Sequence, residues 1–593
     1  MSLAPQEQND FFKSKVLGHP SGLFVLFFTE MWERFSYYGM RALLVVFLTS
    51  SYSKGGWEWS RENALAVYGS YTSIAYLTPI LGGYLADKFL GYRWAVIIGA
   101  FIMTLGHISM ALEFDHAFMY LGLVLLVVGN GFFKPNMTSI VSEMYKDHPE
   151  KKDGAYTIFY MGVNSGAFLG MLLCGYIGET ISWFWGFGLA GIFMFIGMFQ
   201  FYFTKGIFGD IGLKPNKNVQ KIHAENEFEK ERNPYSTLDL ILIAFVAIVG
   251  LLWIVNDPVS KISGSSIFIF NFKSTVFGLF SEPVAGSNLA IVVVLILFLI
   301  QLIIRIRKYN KFVGGRMTAV LIMAFVTVFF WASFEQAGGS MTIFAKDYTD
   351  RILTGNSKMI FNVVNTLITV IPMLVISFVL IKLFRQTYKK YATGNIVLGV
   401  GFLLIWAILI YMLKQQYSGE KAEVPATWFG ILNSLFIISL APLISKIWDS
   451  KFNPYATIKN GISMILLAIG FGFLAFGSLL IPKGAATASV SMVWLVLAYL
   501  FHTLGELFIS PVGLSYISKL VPARMIGMMF GVWYIAIALG NKLGGIIGGQ
   551  IDKINGQYSL TQFFLIFTLV PIGLGVIIML LTPVMKRMMH GVK

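Results

Sequence analysis

Glu30, Glu33, Arg34 and Arg41 stand with Tyr37 and Tyr38 inside an otherwise apolar stretch, Leu23 to Leu48. Positions 30, 34, 37 and 41 follow helical spacing and fall on one face. Glu30 and Arg34 form an i,i+4 pair of the favourable polarity. Four more ionisable residues interrupt apolar runs: Lys134 before Pro135, Glu335 before Gln336, Glu506 after His502, and Lys542 after Asn541. Arginine and lysine suit a carboxylate, glutamate suits an ammonium, and together they suit a zwitterion. A glutamate in a partly dry cavity can also carry a proton.

The segments that must hold these groups are membrane spans. The 593 residues are 56% hydrophobic and 13% charged, with mean hydropathy +0.71; a soluble chain carries about 25% charged residues. Runs near 20 apolar residues recur, which predicts an all-α polytopic membrane protein rather than a β-barrel. Sixteen spans are expected: 23–49, 64–87, 94–112, 118–143, 155–178, 184–204, 238–256, 288–307, 316–345, 359–384, 395–413, 424–447, 458–481, 491–518, 525–550 and 561–585. Ionisable groups at such depth are costly and face an interior or a water-filled path.

Lys and Arg set the orientation. Lys13, Lys15, Lys88, Arg93, Lys146, Lys151, Lys152, the 205–236 loop, Arg305 to Lys308, Lys382 to Lys390, Lys446, Lys451, Lys519, Arg524, Lys586 and Arg587 share one side. That side is expected to be cytoplasmic, with both termini. The net charge of +15 therefore reflects topology, and no nucleic-acid partner is expected. The first apolar run reads as a span, not a cleaved signal. One cysteine, Cys174, excludes an internal disulfide framework.

A weak repeat pairs Pro79…Asp87-Lys88 with Pro442…Asp449…Lys451, as two related bundles meeting at a central site would. Several groups have plainer readings. Glu30, Glu33 and Arg34 could only brace the fold, Lys134 could snorkel, and Glu335 and Glu506 could be structural pairs. His107 and His502 read as packing residues, Asp87 and Lys88 as a loop contact, and the depth of Lys542 is open. No metal cluster, nucleotide loop or catalytic triad is present, so neither an enzyme nor a cofactor is expected beyond protons as coupling ion.

The motifs resemble the proton-dependent oligopeptide transporters, a branch of the major facilitator superfamily. They are Glu30-x-x-Glu33-Arg34-Phe-x-Tyr37-Tyr38-Gly39, Gly82-Gly83 to Gly91, Phe159-Tyr160 to Asn164-Ser-Gly166, Lys134-Pro135, Glu335-Gln336, Trp428-Phe429 to Asn433, and Glu506-Leu to Ser510-Pro511-Val-Gly513-Leu. The resemblance implies two six-helix bundles, at 18–208 and 314–587, with 209–313 holding two inserted helices. A second two-helix insertion, about 355–415, is a departure from the family pattern. Arg41 and Lys134 would bind a peptide carboxylate; Glu506, Asn164 and Asn433 its amino group or backbone. Tyr37, Tyr38, Tyr76 and Trp533 would line the site. Glu30, Glu33 and Arg34, with Glu335, would couple protons; Arg41–Glu335 and Lys134–Glu506 would be outer and inner gate pairs. Asn433 fits the motif better than Asn362 or Asn365. The implied activity is proton-coupled import of di- and tripeptides across a bacterial inner membrane. A carrier of nitrate, a modified peptide or a drug, or a non-transporting peptide receptor, are the alternatives.

Overall fold

The computed structural model describes residues 14–112, 115–214, 235–272, 284–448, 450, 453–521 and 523–590. Asp449 and Lys451, half of the proposed repeat, and the side chains of Pro511 to Leu514 lie outside the described residues.

Fifteen long helices carry the fold: α1 (Ser21–Thr49), α2 (Arg61–Leu85), α3 (Tyr92–Ala111), α4 (His116–Met144), α5 (Pro149–Thr180), α6 (Trp183–Thr204), α7 (Thr237–Ser263), α8 (Gly286–Arg307), α9 (Lys311–Phe334), α10 (Gly355–Ser418), α11 (Ile431–Trp448), α12 (Ala456–Gly477), α13 (Val493–Leu520), α14 (Ala523–Gly549) and α15 (Leu560–Leu580). Among the described residues, thirteen helices are long and apolar enough to cross a membrane. α1 and α2 complete the set; charges dilute the first, and Tyr, Ser, Thr and Gly the second. α10 breaks at Tyr391 (φ −129°, ψ 45°) and folds back, since Asn365 bonds Gln416 (2.8 Å) and Trp406 bonds Ser377 (3.1 Å). It thus supplies two crossings, for sixteen among the described residues. Helices satisfy their own backbone groups, which is what an apolar medium requires.

Within the first half, α1 packs on α5 and α6, and α3 on α4; within the second, α12 packs on α13 and α15, and α9 on α14. The halves meet along α2/α14 and α5/α11. The inserted pair α7–α8 lies against α2. It is tied together where Gln301 donates to the Asp239 carbonyl (3.0 Å) and Arg305 meets the Asp239 carboxylate (3.5 Å). The α10 hairpin leaves the second half and packs on α6 and α1 of the first, setting Phe402 edge-on to Phe28 and Trp32.

Sixteen crossings bring both ends of the described chain to one face, called here the terminal face. On the far face, two-residue ladders join 349–350 to 490–491 and 352–353 to 422–423. Glycines set the closest approach between halves: a Cβ on Gly545 of α14 would sit 2.7 Å from the Gly69 Cα of α2. Such small-residue contacts let membrane helices touch backbone to backbone.

Candidate transport site

α1 presents its charges inward. Arg34 Nε lies 3.1 Å from Glu30 Oε1 and also contacts Glu33. The Tyr37 ring lies 5.3 Å from the guanidinium. All four side chains are buried, yet Glu30 Oε2, Glu33 Oε1 and Arg34 Nη2 have no hydrogen-bond partner among the described residues. Buried polar atoms are normally satisfied, so two glutamates here keep acceptor capacity beside a fixed cation. That is the equipment for taking and giving up a proton.

Two turns further on, Arg41 Nη2 meets Glu335 Oε2 at 2.5 Å. Tyr68 of α2 belongs to the same knot: its hydroxyl accepts from Arg41 Nε (2.7 Å) and donates to Glu335 Oε2 (3.0 Å). Glu335 reaches this point because α9 changes to a 3-10 turn over Glu335–Gly338. At Gly338 any Cβ would overlap the Tyr68 hydroxyl. Gln336 braces the turn by donating to the Gly544 carbonyl of α14 (2.8 Å).

On the second half, Glu506 Oε2 accepts from Asn433 Nδ2 (2.9 Å), which also donates to Thr503 (3.1 Å). Asn164 of α5 is buried and donates to the Tyr160 carbonyl (3.0 Å). Lys134 forms no ion pair with Glu506; its ammonium lies 4.3 Å from the Tyr76 ring centroid. Arg41, Tyr38, Tyr76, Lys134, Asn433 and Glu506 are half-buried although deep in their helices. Tyr37 and Tyr38 meet edge to face at 5.1 Å. Trp533 is buried in an apolar cluster on which Tyr76 packs, and the rings that approach Tyr76 are Trp331 (6.3 Å) and Tyr534 (6.5 Å). Asn362 and Asn365 bond Gln416 within the α10 hairpin (3.2 and 2.8 Å), far in sequence and role from the Asn433–Glu506 pair. His107 and His502 are packing residues, the latter 4.4 Å from Phe471.

Sequence reasoning missed three far-face groups. Arg61 pairs with Asp347 (2.8 Å) and Asp552 (2.6 Å) and donates to the Tyr348 hydroxyl (2.9 Å) and the Ala486 carbonyl (3.0 Å). Glu179 at the end of α5 accepts from Ala426 N, Thr427 N and Thr427 Oγ1 at 2.7–2.9 Å, a carboxylate on the N-terminus of a helical segment. Tyr68 is the third. No spacing within one segment signals them, because their partners lie on other segments, most of them more than 200 residues away. Among the described residues, the side-chain bonds between the halves lie at mid-depth or toward the far face, and none joins α4 to α13.

The sequence profile of the POT family matches residues 93–417 and 404–564. This chain belongs to the POT family. It is 30% identical to peptide transporter YePEPT of Yersinia enterocolitica over 97% of this chain and 96% of that one. To a di-/tripeptide transporter of Lactococcus lactis it is 27% identical over 96% and 97%. A crystal structure of peptide transporter POT in complex with sulfate superposes with a TM-score of 0.68, at 28% identity, covering both chains completely. The family accounts for the major facilitator architecture, on which this chain carries α7–α8 and the α10 hairpin as additions to twelve core helices.

Proposed function

We propose that this POT-family chain is a proton-coupled symporter that imports di- and tripeptides by alternating access. The observation that carries the reading is the placement of opposite charges: Arg41 and Lys134 on the first half, and Glu506 with Asn433 on the second, are all half-buried deep in their helices. A short peptide is a zwitterion whose ends match those charges. The carboxylate docks on Arg41 and Lys134; the ammonium on Glu506, with Asn433 and Asn164 holding amide groups. Tyr37, Tyr38 and Tyr76 line the wall, and Trp533 supports it from behind.

Proton coupling falls to Glu30, Glu33 and Arg34, with Glu335. A proton on one of these glutamates weakens its hold on arginine, and a peptide carboxylate competes for the freed cation. Each event redistributes the ion pairs that hold one face shut. The Arg41–Glu335 knot, with Arg61, closes the far face; approach of Lys134 to Glu506 closes the terminal face. The bonded far face and the separated Lys134 and Glu506 fit an inward-facing state if the terminal face is cytoplasmic. The moving bodies are residues 18–208 and 314–587, with 209–313 and 355–415 attached. The setting is a bacterial inner membrane with both termini inside. The protein is a carrier rather than an enzyme and needs no cofactor but the proton. An inward proton gradient and potential drive it, each charge gaining about 2.3 kcal/mol per 100 mV.

The test is uptake of labelled dialanine into proteoliposomes. Acid outside and a negative interior are expected to drive accumulation, with competition by di- and tripeptides but not nitrate. Binding without accumulation at any imposed gradient, in protein shown to be folded, rejects transport in favour of a receptor.

A further inference from the structure

Lys542 stands outside the site just described, and its surroundings are unusual. Its side chain is 0% exposed. Its ammonium donates to Asp257 Oδ2 on the inserted helix α7 (2.6 Å) and to Ser70 Oγ on α2 (2.7 Å). Asp257 also pairs with Lys261 (3.1 Å), which reaches Glu62 at the head of α2 (3.2 Å). Ser70 Oγ lies 2.8 Å from the Ile254 carbonyl of α7. Three elements therefore converge on one ammonium: α14 of the second half, α2 of the first, and a helix belonging to neither. The junction flanks the Gly69/Gly545 crossing, and Asn541 beside it donates to the Thr72 carbonyl of α2 (3.2 Å).

We propose that the Asp257–Lys542–Ser70 junction is a further latch of the far face, and that α7 is a working strut of the gate rather than a passive attachment. The proposal rests on the alternating-access reading. For the far face to open, α2 must leave α14, so Lys542 must give up Ser70. α7 packs along α2 and makes no comparable contact with α14, so Asp257 moves off with Ser70 and the Lys542 pair must part as well. Parting a buried ion pair costs far more than losing a neutral partner, and that cost holds the far face shut. Asp257, Lys542 and Ser70 are positioning residues that act through the gate and need not touch substrate.

The test is labelling of a cysteine at Leu65, a residue of α2 1% exposed and one turn from Gly69 on the far-face side, by an impermeant maleimide from the far side of full-length protein in the membrane. The only native cysteine, Cys174, is buried. Asp257→Asn is expected to label at least tenfold faster than the parent. Adding Lys542→Met, which removes the stranded charge, is expected to bring labelling back toward that of the parent. Should Asp257→Asn fail to fold, Ser70→Ala removes a closure-dependent bond without stranding a charge, and about two- to tenfold faster labelling is expected. Parent-like labelling of Asp257→Asn, or of Ser70→Ala where that stands in, overturns the latch. So does a double variant as open as Asp257→Asn alone. No peptide enters this readout, so a chain that labels as expected yet moves no dialanine would fail the transport reading and leave the latch intact.

Discussion

The tightest point between the halves offers the sharpest perturbation. At the α2/α14 crossing, a Cβ added to Gly545 would lie 2.7 Å from the Gly69 Cα and 2.8 Å from the Leu65 carbonyl oxygen. Both are backbone atoms, so no rotamer change can relieve the clash. Ordinary carbon contacts need about 3.5–4.0 Å, so Gly545→Ala must push the helices apart by about 1 Å. Overpacking of this kind costs about 1–3 kcal/mol. It applies only while the far face is shut, because opening separates the two helices. The helix-propensity gain of alanine over glycine, about 1 kcal/mol, is the same in both states and cancels. The closed-to-open ratio should therefore fall roughly 5- to 150-fold. The Leu65→Cys reporter reads that ratio directly, as labelling rate from the far side. Gly556→Ala is the control, since a Cβ there meets nothing within 4 Å. If Gly545→Ala labels no faster than Gly556→Ala, the crossing is not a closure of the far face.

Glu335→Gln should leave Arg41 with Tyr68 alone in a nearly dry site. Loss of one partner of a buried pair costs about 3–5 kcal/mol; proton-driven uptake should drop at least tenfold and far-face labelling rise, and unchanged uptake refutes the gate. Glu33→Gln should abolish stimulation of dialanine uptake by external acid while counterflow exchange survives; persistent acid stimulation would place the coupling proton elsewhere. Lys134→Ala should erase the preference for dialanine over its amide, which charge-assisted bonding of about 1.5–3 kcal/mol sets at roughly 10- to 150-fold in the parent. Equal preference in parent and variant assigns the carboxylate to other groups. Glu179→Ala strands three donors at the head of the Ala426–Gly430 turn and should speed far-face labelling, with a rate equal to the parent's dismissing that contact from the gate.

Much of this molecule was legible without a fold. Apolar length alone counts sixteen crossings, because a bilayer demands about 20 residues of helix whatever the neighbours are. Charge inside such a run is so costly that Glu30, Glu33, Arg34, Arg41, Lys134, Glu335 and Glu506 stand out as functional candidates from type and position. The Glu30–Arg34 contact follows from helical spacing. Other features were hidden for a physical reason. Arg61, Glu179 and Tyr68 look like ordinary loop and helix-end residues, and only tertiary packing brings them to partners across the two halves.

Lys542 marks the division most clearly. Sequence by itself determined that a lysine sits in an apolar run and that an inserted span, expected over 238–256, ends beside Asp257. Membrane solvation fixes that much, since it acts on each segment separately. Tertiary structure decided that the two charges meet, that Ser70 completes the junction, that Lys134 stands under Tyr76 rather than on Glu506, and that α10 crosses to the opposite half. Those are contacts between segments remote in the chain. They depend on which helix faces which, and so on the packing of small residues such as Gly69 and Gly545 that carry no chemical signal of their own.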